Sequence, residues 1–158
     1  MTDQRPPRVR GDERETLCAL LRFQRESLVR KVSGLDDAAA RQSPVASGTS
    51  LLWLVEHLAW AERSWLLGTF AGQVEPGAGP KVASEGTLEQ AVASYRDTWT
   101  RCDEVVAAAG SLDELSRLER HGDRVTLRWI LMHLLEEVAR HAGHADILRE
   151  LIDGSVGR

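Results

Sequence analysis

The sequence of 158 residues is poor in cysteine, and its two cysteines form no recognisable motif. Cys18 and Cys102 are far apart in the chain, and each falls within a helical hydrophobic pattern. Such isolated cysteines indicate buried thiols rather than a disulfide framework or a cysteine metal site. Any metal chemistry must therefore rest on other side chains.

Long apolar runs and an excess of one charge are also missing. No segment approaches the roughly 20 apolar residues of a membrane span, and residues 1–11 lack the apolar core of a signal peptide. We therefore expect a cytoplasmic protein with no membrane partner and a flexible N-terminus over residues 1–11. Lys and Arg number 20 against 24 Asp and Glu, and the basic residues are scattered, which argues against nucleic-acid binding.

Strand signals are absent, and four long amphipathic patterns fill most of a chain of single-domain length, residues 1–158. The caps and glycines predict an all-α, up-and-down four-helix bundle. The predicted helices run from Glu13 to Val32, from a Thr49 or Ser50 cap to about Phe70, from after Thr87 to Gly110, and from after Thr126 to about Asp153. A helical turn is predicted over residues 36–41, a Gly- and Pro-rich loop over 72–86 and a polar connector over 111–125.

The second predicted helix is apolar on more than one face. A helix of this kind is central in a bundle or lies at a subunit interface, so a homodimer is one interpretation. The apolar residues outside the sector of His57 are Leu51, Leu52, Val55, Leu66 and Leu67.

The last predicted helix carries a row of titratable residues, within LMHLLEEVARHAGHADILRE (residues 131–150). His133, Glu137, His141 and His144 follow one another at offsets of four, four and three. At about 100° per residue they fall within an arc of roughly 80°, on one face of the helix. A row of imidazole and carboxylate groups in so leucine-rich a helix favours a site for a divalent metal.

One ion can be held by only one neighbouring pair of this row. With a rise of about 1.5 Å per residue, His133 and His144 are roughly 16 Å apart along the axis. Three pairs qualify: His133 with Glu137, Glu137 with His141, and His141 with His144. Since two ligands do not complete a site, a third must come from another element.

The remaining histidines are His57 and His121, and His57 is the better candidate for the third ligand. Its helical neighbours in SLLWLVEHLAWAERSW are apolar and aromatic, which predicts burial between two helices. His121 lies in the polar stretch ERHGDR, which reads as a loop, so we discount it.

Two interpretations compete with a catalytic metal site. In one, a metal-binding, stress-associated protein has no turnover because His144 closes the coordination sphere as a fourth ligand. In the other there is no metal, and His57 and the row of residues simply pair with each other, as core histidines commonly do.

Three segments together resemble a known family. They are ERETLCALLRFQRESLVRKVSGL near the start, SLLWLVEHLAWAE around His57, and WILMHLLEEVARHAGHADILRELIDG at the end. In combination they resemble the DinB-like four-helix metalloproteins, within the subgroup related to mycothiol-dependent transferases and isomerases. The resemblance covers nearly the whole chain.

The resemblance implies a metal held between the second and last helices by His57, Glu137 and His141. His144 is then a neighbour of the site, and Trp53 and Trp60 are candidate pocket walls. Two histidines and one carboxylate leave a coordination position open, which is typical of catalytic zinc; nickel, iron and manganese also suit these ligands. The implied reaction transfers a small thiol such as mycothiol to an electrophilic substrate.

Overall fold

Helices account for nearly all regular structure in the computed structural model, which describes residues 4–74 and 77–156. Over these ranges β-pairing is confined to two isolated bridges, Leu115 with Thr126 and Arg120 with Asp123. The predicted all-α class is therefore confirmed. The helices are α1 (Glu13–Val32), α2 (Asp37–Arg41), α3 (Leu51–Glu62), α4 (Leu88–Ala108) and α5 (Leu127–Asp153), and α3 runs directly into a π-helix over Arg63–Phe70.

Side-chain caps set the helix boundaries close to where the sequence predicts them. Asp12 begins α1 with a capping box, in which its side chain accepts a hydrogen bond from the backbone of Glu15. The side chain of Thr126 accepts from the backbone N–H of Trp129 at the start of α5. Gly154 ends α5 at φ 74°, in the left-handed region where glycine is favoured. Of the two candidate caps for α3, Ser50 is the one that is used.

The second predicted helix is central in the fold. Its α3 portion packs against α4, α5, α2 and α1, while α1 packs along α5. Its apolar faces are therefore covered within one chain, and they no longer argue for a homodimer. The fully buried apolar residues of α3 are Leu51, Leu52, Leu54, Val55 and Leu58.

The prediction of one regular helix up to Phe70 is wrong for its last two turns. Residues Arg63–Phe70 form a π-helix, and seven of these eight residues are buried. A π-helix bonds i to i+5 and is rare, so a hydrophobic pattern read at 3.6 residues per turn does not predict it. The connector after α4 docks here, since the backbone N–H groups of Arg117 and Leu118 donate to the carbonyls of Phe70 and Thr69.

The N-terminal segment and the cysteines agree only in part with the predictions. Residues 4–11 are exposed without regular structure, while residues 1–3 of the predicted flexible N-terminus lie outside the described ranges. Both cysteines are free, but only Cys102 is buried; the prediction of a buried Cys18 is wrong, because its side chain is part-exposed on α1. No helix in the described ranges is both long and apolar enough to cross a membrane.

Candidate metal centre

Three of the predicted site residues come together between α3 and α5. Nε2 of His57 lies 3.1 Å from Oε1 of Glu137, and Nε2 of His141 lies 3.2 Å from the same oxygen. One nitrogen or oxygen of each residue falls within 4.8 Å of the others. We call His57, Glu137 and His141 the triad.

The triad lies at the margin of the core. His57 is flanked on α3 by the fully buried Leu54 and Leu58, and Glu137 is followed on α5 by the fully buried Val138. These core contacts fix the two helices relative to each other, and the triad side chains meet beside the core. The side chain of His57 is 17% exposed, so the prediction that it is buried between two helices holds only in part.

The carboxylate of Glu137 stays ionised at neutral pH. Hydrogen bonds to His141 and then to His57 hold the pKa of Glu137 far below its ordinary value, despite partial burial. The second oxygen of Glu137 lies 3.7 Å from Nη1 of Arg140. The triad therefore presents one negative charge and two imidazole nitrogens to the same point.

The donor set of the triad fits a divalent cation. Zinc–nitrogen and zinc–oxygen bonds of about 2.0–2.2 Å place neighbouring ligands of a tetrahedral site about 3.3 Å apart. The separations of 3.1 Å and 3.2 Å from Glu137 to the two histidines are close to that edge length. A cation can therefore take the place of the imidazole protons with little movement of the helices. Residues 4–74 and 77–156 contain no second cluster of this kind.

The other three histidines are not part of the triad. Nδ1 of His144 lies 3.2 Å from Nδ1 of His141, on the ring edge opposite to the one that faces Glu137. His133 stacks on Trp129 with ring centroids 5.0 Å apart. His121 sits in an exposed turn at φ 57°, in agreement with its exclusion as a ligand.

Two tryptophans of α3, the candidate pocket walls, lie against His57 of the triad. The ring of Trp53 stacks on His57 at a centroid distance of 4.7 Å, and the ring of Trp60 lies 5.8 Å from His57. Their indole N–H groups donate to the carbonyls of Pro80 and Gly77, both at 2.9 Å. The predicted Gly- and Pro-rich loop is thus docked on α3 from residue 77 onwards, while residues 75 and 76 lie outside the described ranges.

A glycine allows the loop to lie against the indole of Trp60. A Cβ atom at Gly79 would approach the Trp60 ring to 3.0 Å, closer than normal side-chain packing. Glu56 further anchors the loop by accepting a hydrogen bond of 2.9 Å from the backbone of Ser84. The sequence signals the loop by composition, but nothing in it indicates where the loop docks.

A cavity of about 240 Å³ lies beside His144, whose ring is next to that of His141. Larger cavities occur elsewhere, such as one of about 800 Å³ between the N-terminal segment and α1, and no triad residue lines either that cavity or the smaller one. The lining of the smaller cavity combines hydroxyl and apolar side chains: Val45, Ser47, Thr49, His144, Ile147 and Leu148.

Comparisons with known proteins agree with the sequence resemblance. The family model for mycothiol S-transferases matches residues 16–154. The crystal structure of a conserved protein from Enterococcus faecalis superposes with a TM-score of 0.60 at 16% sequence identity, covering 92% of this chain and 99% of that chain, which shows a shared fold. No curated protein matches the chain.

Proposed function

Since the chain belongs to the mycothiol S-transferase family of DinB-like proteins, we propose that it transfers a small thiol such as mycothiol to an electrophilic substrate. The observation that carries this proposal is the convergence of His57, Glu137 and His141 on one point, with their ligand atoms within 4.8 Å of one another. In this interpretation the helices form an up-and-down four-helix bundle, and the triad holds a divalent cation between the second and last helices of that bundle.

Zinc is the cation that we propose, and the same ligands also suit nickel, iron and manganese. When bound, it supplies a positive charge that favours the thiolate form of a thiol. In the transfer, a sulfur–carbon bond forms and the bond from that carbon to its leaving group breaks. The leaving group departs with the electron pair, and the thiol proton passes to solvent.

The nucleophilic sulfur comes from the cosubstrate rather than from the protein. Burial raises the pKa of the Cys102 thiol far above its ordinary value and also raises that of Cys18. A thiol of raised pKa is a poor nucleophile at neutral pH. Neither cysteine belongs to the triad.

His144 positions His141 in this proposal rather than binding the cation. With Nε2 of His141 directed at the centre of the triad, Nδ1 of His141 carries the proton and donates it to Nδ1 of His144, 3.2 Å away. A hydrogen bond on the outer nitrogen fixes the tautomer and orientation of a ligating imidazole. Three protein ligands then leave one position open for a substrate, and the faces of Trp53 and Trp60 exclude water from one side of it.

Metal analysis followed by a transfer assay tests the proposal. We expect the purified protein to bind about one equivalent of zinc and to join mycothiol to 4-chloro-3-nitrobenzamide with release of chloride. His57→Ala should lose both properties. His121→Asn is the matched control, because asparagine tolerates the positive φ of that exposed turn, and it should keep both.

Two other outcomes would overturn the proposal in different ways. Metal binding without thiol consumption above background would make the protein a metal-binding module without turnover. Absence of bound metal after zinc loading would mean that the histidines and Glu137 pair only with each other.

A further inference from the structure

Arg120 occupies an unusual position for an arginine. It lies in the connector before α5, and its guanidinium carbon is 4.1 Å from the ring centroid of Trp65 and 5.8 Å from that of Trp60. Its Nη1 donates a hydrogen bond of 2.7 Å to the hydroxyl of Ser64 in the π-helix. The side chain is therefore held in a defined place against aromatic surface.

The charge of Arg120 has no counterion in the described part of the chain. Ser64 is the one hydrogen-bond partner of the Arg120 side chain there, so the donors at Nε and Nη2 have no partner within the described residues. Partial burial lowers the pKa of Arg120, and no neighbouring charge offsets this effect. Arg25 and Arg128, in contrast, each bind carboxylates. A half-buried guanidinium with free donors is suited to an external anion.

Arg120 also lies close to the triad. The guanidinium carbon of Arg120 lies 5.8 Å from the ring centroid of Trp60, and that centroid lies 5.8 Å from the ring centroid of His57. The ring of Trp65, which the guanidinium also faces, is 5.0 Å from that of His133, and Glu137 follows His133 by one helical turn. The indole of Trp60 is thus a neighbour of both the guanidinium and a proposed metal ligand.

We propose that Arg120, supported by Trp60 and Trp65, binds the carboxylate of a cosubstrate whose reacting atom lies at the triad. Guanidinium groups recognise carboxylates through paired hydrogen bonds, and partial exclusion of water strengthens the attraction. The chemistry identifies a small carboxylic acid, carried by the electrophile or by the thiol. The role in catalysis rests on the proposed function, whereas binding of the anion does not.

Binding measurements with a matched acid and amide test the subsite directly. We expect metal-loaded protein without thiol to bind 4-chloro-3-nitrobenzoate about tenfold more tightly than 4-chloro-3-nitrobenzamide, as for one charged contact. Arg120→Gln should abolish this preference, and Arg120→Lys should retain part of it. Arg63→Gln removes the same charge from a nearby exposed position and should leave the preference intact. An unchanged preference in Arg120→Gln, or none in the wild type, would overturn the subsite.

Ser64→Ala separates recognition from a structural role. This substitution removes the hydrogen bond that holds Arg120 but keeps the positive charge. If Arg120 only anchors the connector, Ser64→Ala should lower the acid preference as much as Arg120→Gln does, and the proposal would be wrong. If Arg120 binds the anion, Ser64→Ala should keep most of the preference.

Transfer rates distinguish the two sources of the carboxylate and the two proposals. One arm compares the acid and the amide as electrophiles, and the other compares N-acetylcysteine with its amide as thiols. A preference for the acid that depends on Arg120 in either arm supports the subsite and identifies which cosubstrate carries the anion. No transfer in any arm, with preferential binding of the acid intact, would sink the proposed function and leave the subsite standing. Transfer without any preference for acids would support the proposed function and overturn the subsite.

Discussion

Two glutamates of this protein lie between packed helices, and they are held in opposite ways. Glu62 is completely buried, and it accepts hydrogen bonds from Arg25 at 2.5 Å and 3.1 Å and from the hydroxyl of Tyr95 at 2.9 Å. Glu137 keeps 18% of its side chain exposed, and its close partners are the imidazoles of His57 and His141.

The two clusters differ in whether a metal ion can replace the protons that the glutamate's partners donate. Burial disfavours the charge of Arg25, but the attraction of Glu62 outweighs this and raises the pKa of Arg25. That guanidinium therefore never releases its proton, and the Glu62 cluster is closed. An imidazole loses its proton near neutral pH and then offers a lone pair. The Glu137 cluster can exchange protons for a metal ion, whereas the Glu62 cluster can only hold helices together.

The largest effect on stability should come from removing the counterion of Glu62. Arg25→Met leaves the carboxylate of Glu62 buried without its counterion, which typically costs about 3–5 kcal/mol in free energy of unfolding. Urea denaturation of the metal-free protein measures this change. Arg22→Met is the control, since the Arg22 side chain is 69% exposed, and it should cost less than about 1 kcal/mol. Equal costs for the two variants would contradict the assignment of Glu62 as structural.

A substitution in the triad should affect metal binding far more than folding. His57→Ala removes one of three proposed ligands, so the affinity for zinc should fall by more than about 100-fold, since even residues behind the ligands contribute 10–100-fold. The free energy of unfolding of the metal-free protein should change by only about 1 kcal/mol, because the site is part-exposed. Competition with a chelator gives the first quantity and urea denaturation the second. If His57→Ala lost as much stability as Arg25→Met, the distinction between a structural Glu62 cluster and a metal-binding Glu137 cluster would be wrong.

The pH dependence of stability should identify the charge of Glu137. Hydrogen bonds to His141 and His57 lower the pKa of Glu137 in the folded state, so its stabilising effect is present above the unfolded pKa of about 4.3 and is lost as pH falls further. In the metal-free protein, Glu137→Gln should cost about 1 kcal/mol at pH 7. This cost should shrink steadily below about pH 4. A cost that does not vary with pH would show that the carboxylate charge contributes nothing.

The smallest effect is expected at the part-exposed cysteine. Cys18→Ser should leave the rate of thiol transfer within about twofold of wild type, because a thiol of raised pKa contributes little thiolate. The assay with mycothiol and 4-chloro-3-nitrobenzamide measures this rate. A loss of transfer in Cys18→Ser, with zinc still bound, would mean that a protein thiol takes part.

The triad shows what local sequence can predict. Glu137 and His141 are four residues apart on a strongly signalled helix, so their shared face follows from helix geometry alone. His57 was favoured as the third ligand because its apolar helical neighbours predict burial between two helices. The choice of Glu137 with His141 over the two other possible pairs came from the family resemblance. The helix caps at Asp12 and Thr126 likewise act within one turn, which is why their positions were predictable.

Arg120 shows what local sequence cannot predict. Its connector is a polar stretch that indicates only a loop, and the contact with Ser64 and Trp65 arises because that stretch docks on the π-helix. The π-helix itself has no signal in a hydrophobic pattern. Likewise, Trp53 and Trp60 were predicted as pocket walls, but the loop carbonyls that hold their indoles come from tertiary packing.

Anomalous diffraction from zinc-loaded crystals tests the central claim most directly. Data collected on either side of the zinc absorption edge locate the ion without reference to any assumed ligand. The account predicts one ion per chain, bonded to Nε2 of His57, a carboxylate oxygen of Glu137 and Nε2 of His141, with Nδ1 of His144 hydrogen-bonded to Nδ1 of His141 and not bonded to the ion. An ion bound elsewhere, or no ion and imidazoles hydrogen-bonded to Glu137, would contradict it.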